Sequence, residues 1–318
     1  MREGKVVRLV TRPRVLALAA ILVALFAAPS AAVADEVAAA EADLDTPIVV
    51  LALGVGQPSW RSPSTARVSL GAVPASVVPA SVVPASVVPV SLVPADGKRH
   101  FLSVNGHRLA IWCRGVGSPT VILEHGIGYG IDSDSWVTVQ TGIAKETRVC
   151  RYDRAYVGDS DDARTGRSMP DLAADLVGLM TAALIPGPYI LVGHSFGGLT
   201  VRYFALLHPK SVIGMVLVDG SPPSAIVNLD LGSERLNHAK VMSQLRQLKS
   251  LGRIPLVVIT RGIGAGPAWR AAQEDMVELS TSGRHVIATQ SDHWIQLRQP
   301  DLVIGQVLTV LHTIRRYQ

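Results

Sequence analysis

The chain has 318 residues, 48% of them apolar and 17% charged, enough to build one large α/β domain or two small ones. Its formal net charge is +5, but the first 34 residues carry five basic side chains against one acidic one, which leaves about +1 for the remainder. No basic stripe with interleaved aromatic residues is present, so the sequence excludes nucleic-acid binding.

The N-terminus has the pattern of a secretory signal peptide. A basic segment leads into an apolar run, Val15–Ala28, and Ala32 and Ala34 form a small-residue cleavage site. The run is shorter than the ~20 residues that span a bilayer, although an uncleaved anchor is the alternative. We expect cleavage after Ala34 and a secreted or cell-envelope protein with no stable membrane span after processing.

Residues 35–97 are predicted to be a spacer. A pentapeptide repeat places proline at every fifth position from 74 to 94. Such spacing forbids a helix and interrupts the hydrogen-bond ladder of a strand. We expect an extended, polyproline-like segment, and the sequence leaves the role of the repeat open.

From Lys98 onward, apolar runs alternate with helical patterns. The first two runs flank Asn105-Gly106, a typical two-residue hairpin turn. Continuous Val, Ile and Leu in the later runs indicate strands buried on both faces of a mostly parallel sheet. Residues 98–318 are therefore predicted to be one α/β domain with eight strands and helices on both faces.

The stretch "YILVGHSFGGLT" carries the main chemical signal. Its Gly193-His194-Ser195-Phe196-Gly197 follows a predicted strand and precedes a predicted helix, the context of the G-x-S-x-G nucleophile elbow. The alternative, an ordinary glycine-rich turn, is less consistent with this context. Ser195 is the predicted nucleophile, and the Phe196 N–H at the start of the helix is a predicted oxyanion donor.

With these segments in this order, residues 98–318 resemble the α/β-hydrolase fold superfamily of serine esterases and lipases. "VILEHGIGYGIDSDSW" is similar to the family's oxyanion loop, which implies that Ile127 supplies a second backbone N–H. "YDRAYVGDSD" resembles a structural turn in which glycine is common at the position of Tyr156. "SDHWIQLRQPD" resembles the segment that carries the catalytic base, which implies His293. Residues 221–252 stand where the family inserts a cap, here short and helical from about Ser233 to Leu251.

The acid of the triad is less well defined. The resemblance implies an aspartate in "VVITRGIGAGPAW", and that stretch has none. Asp219, at the end of the preceding strand, keeps the chain order serine, acid, histidine. Glu274 and Asp275, on a predicted helix, stay open as alternatives.

The two cysteines also leave alternatives. The family's sheet order implies that the strands of Cys113 and Cys150 are neighbours. An exported protein allows a disulfide, whereas two buried free thiols would act as small hydrophobes.

The sequence thus predicts an exported serine hydrolase that cleaves small-molecule carboxylic esters through an acyl-enzyme on Ser195, without a cofactor or a metal. Action on amide, lactone or C–C bonds, or a non-catalytic binding role on the same fold, are the alternatives. The sequence does not define the substrate, its chain length or the oligomeric state.

Overall fold

The computed structural model describes residues 93–128 and 132–317. The predicted signal peptide and the spacer with its repeat lie outside these residues, apart from residues 93–97. Within the described ranges, no helix combines the length and hydropathy that a bilayer span requires. The first strand begins at Asp96, two residues before the predicted start of the domain.

All eight predicted strands are present and form one sheet in the order β1-β2-β4-β3-β5-β6-β7-β8. β1 pairs antiparallel with β2 and β2 antiparallel with β4, while every other neighbouring pair is parallel. The prediction of a mostly parallel sheet is confirmed. The strands are β1 (Asp96–Val104), β2 (His107–Arg114), β3 (Thr120–Glu124), β4 (Val149–Tyr152), β5 (Tyr189–His194), β6 (Val212–Val218), β7 (Leu256–Arg261) and β8 (Gly283–Ala288).

The hairpin between β1 and β2 forms at the predicted turn. Asn105 and Gly106 have φ of 49° and 89°, the positive values that a two-residue type I′ turn requires at both positions. The two strands lie in register around this turn from Val104 and His107 outward.

Helices cover both faces of the sheet, as predicted. Successive residues of the buried strands point to opposite faces, so that Leu191 packs in one apolar core, and Ile190 and Val192 in the other. Side chains of α2 to α5 belong to the first core, and side chains of α1 and α7 belong to the second. The helices are α1 (Val137–Ile143), α2 (Met169–Ala182), α3 (Phe196–Leu207), α4 (His238–Leu245), α5 (Pro267–Val277), α6 (Ile295–Arg298) and α7 (Pro300–Arg316).

Cys113 and Cys150 form a disulfide. They are directly opposite each other on the antiparallel pair β2 and β4, and both are buried. Of the two alternatives that the sequence left open, the structure has the cross-strand bridge.

The cap differs in detail from the prediction of one helix over Ser233–Leu251. It contains two short 3-10 helices, Pro223–Asn228 and Leu231–Glu234, and then α4, which is only eight residues long. The Asn237 side chain accepts a hydrogen bond from the Lys240 N–H and starts the helix there. The positive φ of Arg235, 52°, ends the 3-10 segment just before it.

Candidate active site

Ser195 occupies a sharp turn between β5 and α3. Its φ of 53° and ψ of −121° are strained for a residue with a side chain. The flanking glycines permit this turn because a Cβ on Gly193 would lie 2.5 Å from the Gly197 carbonyl oxygen, and a Cβ on Gly197 would lie 2.5 Å from that of His125. The backbone therefore has the tight, strained strand-to-helix turn that the sequence pattern predicts.

The two predicted oxyanion donors lie on either side of this turn. Phe196 is the first residue of α3, where a backbone N–H has no partner within its own helix. Ile127 follows the His125-Gly126 pair at the end of β3. Gly126 packs against the elbow, since a Cβ built on it would lie 3.4 Å from Ser195 Cβ. Both donor segments thus border the Ser195 side chain.

Asp219 and His293 form a direct hydrogen bond at the same edge of the sheet. Asp219 directly follows β6, and His293 lies in the loop between β8 and α6. The His293 Nδ1–H donates to Asp219 Oδ2 over 2.6 Å. The carboxylate is fully buried, whereas one third of the His293 side chain is exposed. This arrangement orients the ring and leaves Nε2 for proton exchange.

Ser195 Oγ lies 3.5 Å from Ser221 Oγ. Among the described residues it makes no hydrogen bond to His293. Catalytic hydrogen bonds are often long or misaligned in an unliganded enzyme and tighten when substrate binds. Ser221 is itself fixed on the elbow, because its N–H donates to the Ser195 carbonyl oxygen over 2.9 Å.

Two further side chains hold Asp219, and sequence reasoning missed both. Arg261 Nη1 donates to Asp219 Oδ2 over 2.6 Å, and Trp269 Nε1 donates to Oδ1 over 2.9 Å. The Arg261 guanidinium also stacks on the Trp269 ring at 4.3 Å. Burial raises the pKa of Asp219, but the hydrogen bond and charge of His293, followed by Trp269 and Arg261, outweigh burial and hold it below its ordinary value. Asp219 is therefore ionised at neutral pH.

His194, next to Ser195 in the elbow, holds the loop that carries His293, the predicted base. Its Nε2 lies 2.9 Å from the His293 carbonyl oxygen, so this nitrogen carries the proton and donates. Burial, with a smaller contribution from the charge of His293, lowers the pKa of His194 to about 3. The ring is therefore neutral at physiological pH, and its hydrogen bond fixes the backbone at His293.

The alternative acids lie elsewhere. Glu274 and Asp275 are exposed on α5, while Asp219 contacts the His293 ring. Within residues 93–128 and 132–317, no cluster of three or more His, Cys, Asp or Glu side chains is placed to hold a metal ion.

The chain is similar to a known family and to proteins of other organisms. A family model described as alpha/beta hydrolase fold matches residues 119–253. The uncharacterized protein YqjL of Bacillus subtilis is 27% identical over 210 residues, which are 60% of this chain and 82% of that protein. The uncharacterized protein Rv2715 of Mycobacterium tuberculosis is 31% identical over 161 residues, which are 48% of this chain and only 46% of that protein.

Solved structures show the same fold at low sequence identity. A thermophilic esterase from Thermogutta terrifontis has a TM-score of 0.55 and 18% identity, and the match covers 68% of this chain and 99% of that one. The epoxide hydrolase CorEH has a TM-score of 0.54 and 18% identity, with 68% and 99% covered. An enol-lactonase from Burkholderia xenovorans has the same TM-score and identity, with 67% and 100% covered.

Proposed function

We propose that this chain, which has the α/β-hydrolase fold, is a serine hydrolase that cleaves small-molecule carboxylic esters through an acyl-enzyme on Ser195. The observation that carries the proposal is the juxtaposition of a strained serine elbow with the Asp219–His293 hydrogen bond at one edge of the sheet. An ordinary structural turn needs neither the positive φ of a serine nor a buried carboxylate aimed at an imidazole.

In the proposed reaction, Ser195 Oγ attacks the ester carbonyl carbon as His293 Nε2 takes the hydroxyl proton. Asp219 holds the imidazole and stabilises the imidazolium. The oxyanion of the tetrahedral intermediate accepts hydrogen bonds from the Ile127 and Phe196 N–H groups. When the intermediate collapses, the C–O bond breaks and His293 gives the proton to the departing alcohol. Water then attacks the acyl-enzyme by the same sequence and releases the acid and Ser195.

This mechanism requires Ser195 Oγ to move from its contact with Ser221 to His293 Nε2. The hydroxyl is held at Ser221 only by a 3.5 Å contact, so little opposes a rotation about χ1 of Ser195. The lack of a Ser195–His293 hydrogen bond in the described residues is also what a non-catalytic member of the fold would show. Activity decides between the two.

The experiment is a hydrolysis panel on the purified mature protein. It contains p-nitrophenyl esters of increasing acyl length, a lactone and an anilide, each with wild type and Ser195→Ala. We expect ester turnover that is fastest in this panel and is lost in Ser195→Ala. Turnover of the lactone or the anilide faster than that of the esters would show that the site cleaves a lactone or amide bond instead. No turnover of any compound would favour a binding role.

We also propose that the protein is exported. The signal-peptide pattern that ends at Ala34 supports this, and so does the Cys113–Cys150 disulfide, because such bonds persist in oxidising compartments. The N-terminus of the protein from the culture medium or cell envelope is expected at Asp35. Intact residues 1–34 in the membrane fraction would indicate an uncleaved anchor instead.

A further inference from the structure

A buried cluster of charged side chains lies beneath the predicted oxyanion loop. Arg154, which follows β4, donates from Nε and Nη2 to Glu234 over 2.8 and 2.5 Å. It also forms an ion pair with Glu124, the last residue of β3, and Glu124 accepts a hydrogen bond from the Tyr152 hydroxyl. Arg154, Glu124 and Glu234 are each at most 2% exposed.

The same guanidinium holds the backbone of the oxyanion loop. Arg154 Nη1 donates to the His125 carbonyl oxygen over 2.8 Å, and Nη2 donates to that of Gly126 over 2.5 Å. His125 adds a second donor to Gly126, from Nδ1 over 2.7 Å, while its Nε2 accepts from the Arg154 N–H. The Gly126 carbonyl is thus held by two side-chain donors.

Holding this carbonyl also fixes the N–H that the proposed mechanism uses. The peptide unit is planar and trans, so the Gly126 carbonyl and the Ile127 N–H belong to one rigid plane and point in opposite directions. With the carbonyl bound to Arg154, the Ile127 N–H faces away from the cluster. Gly126 itself packs against Ser195.

Glu234 connects this arrangement to the cap. It is the last residue of the 3-10 helix Leu231–Glu234, 80 positions from Arg154 in sequence. Both of its carboxylate oxygens are bound by Arg154 in the bidentate geometry that only a guanidinium provides. The position of the cap and the orientation of Arg154 are therefore linked.

We propose that Arg154 is a positioning residue that aims the oxyanion-hole N–H of Ile127, and that Glu234 couples the cap to this function. The inference rests on the proposed acyl-transfer function. A merely structural role for the cluster would change stability alone, whereas a positioning role also changes the stabilisation of the oxyanion.

The test compares Arg154→Lys and Glu234→Gln with wild type. Lysine keeps the charge but has no planar fork to bind two carbonyls and a carboxylate, and glutamine keeps the size and one acceptor. The measurements are kcat and KM on a p-nitrophenyl ester, and the Ki of a trifluoromethyl ketone, which forms an oxyanion on the serine. Arg167→Lys is the matched control, because Arg167 is an equally buried arginine whose guanidinium donates to Asp175 and, among the described contacts, to neither Glu234 nor the oxyanion loop.

Loss of one oxyanion donor typically costs ~10²–10³ in kcat. We expect Arg154→Lys to lower kcat at least tenfold and to weaken ketone binding in parallel, with KM changed less than about threefold. Glu234→Gln is expected to produce a smaller change in the same direction. Arg167→Lys should lower the melting temperature and leave kcat and Ki unchanged.

Unchanged kcat and Ki in folded Arg154→Lys, or a loss no larger than in Arg167→Lys, would overturn the positioning role. If Arg154→Lys does not fold, Glu234→Gln decides, and wild-type kcat and Ki in that variant would overturn the inference. Fluorophosphonate labelling of wild type distinguishes failure of the proposed hydrolase function from failure of the Arg154 positioning role. A wild-type protein that does not react removes the proposed function and the inference together, whereas a labelled wild type with unaffected variants removes the inference alone.

Discussion

Arg261 Nη1 lies 2.6 Å from Asp219 Oδ2. The last residue of β7 thus binds the carboxylate of the residue that directly follows the neighbouring strand β6. Residues 257–269, which lack the aspartate that the resemblance implies, supply two donors to Asp219 instead, Arg261 and Trp269. Arg261 Nη1 is also 3.2 Å from His293 Nδ1. The guanidinium therefore contacts both members of the Asp219–His293 pair.

Arg261→Gln is expected to lower kcat about tenfold, because the Asp219 carboxylate loses a charge-assisted hydrogen bond that holds it beside His293. A less firmly held carboxylate orients the imidazole less well for the proton transfer from Ser195. The rate is measured at pH 7 on a p-nitrophenyl ester. Arg108→Gln, which removes an exposed arginine paired with Asp161, is the control and should stay near wild type. Equal kcat for Arg261→Gln and wild type would refute this role.

Asp219→Asn is expected to depress kcat by orders of magnitude, since the equivalent change cost about 10⁴ in a well-studied triad. The amide allows the wrong tautomer of His293 and removes the charge that stabilises the imidazolium. Asp275→Asn and Glu274→Gln, on the exposed face of α5, should stay near wild type. Circular dichroism verifies that each variant is folded. Near wild-type turnover in Asp219→Asn would assign the acid elsewhere.

His194 is expected to make stability depend on pH. Its folded-state pKa of about 3 lies below the ~6.5 of an unfolded histidine. Unfolding between these values takes up a proton, so the free energy of unfolding falls as the pH falls. Between pH 7 and pH 5 this amounts to about 2 kcal/mol.

Urea unfolding at the two pH values measures this difference. His194→Gln, whose amide can still donate to the His293 carbonyl, should lose less stability on acidification than wild type by that amount. The exposed His238→Gln should behave like wild type. Equal losses in all three proteins would show that His194 does not remain neutral in the folded state.

Removal of the disulfide by Cys113→Ala with Cys150→Ala is expected to lower the free energy of unfolding by about 2–4 kcal/mol, the typical range for such a bridge. Turnover at 25 °C should be unchanged, because Cys150 is the second residue of β4, toward the edge opposite Ser195. Chemical denaturation with and without a reductant gives the same comparison on wild type. A stable double variant with lost turnover would place the bridge in the function of the site.

The strands and the elbow could be predicted because their signals are local. Buried parallel strands read as continuous apolar runs, and Asn105-Gly106 specifies its own turn. The Ser195 elbow needs small residues two positions away on either side, which Gly193 and Gly197 provide. These parts of the fold depend on a few residues that are close in sequence, so the sequence alone predicts them.

The hydrogen-bond partners around the site could not be predicted in the same way. Trp269 is 50 positions from Asp219, and Glu234 is 80 positions from Arg154. Their meeting depends on sheet order and on the path of the cap, which no local pattern encodes. The Tyr156 backbone is a similar case, since tyrosine adopts φ of 72° where glycine is common. Its hydroxyl donates to the Ala163 carbonyl, a contact that also requires the folded loop.

The central claim is that Ser195 is a nucleophile activated by His293. Incubation with a fluorophosphonate, followed by peptide mass spectrometry, tests it most directly. The account predicts one phosphonyl adduct on Ser195 in the wild type, no adduct in Ser195→Ala, and a strongly slowed reaction in His293→Ala. An unmodified wild-type protein, or an adduct that persists in Ser195→Ala, would contradict it.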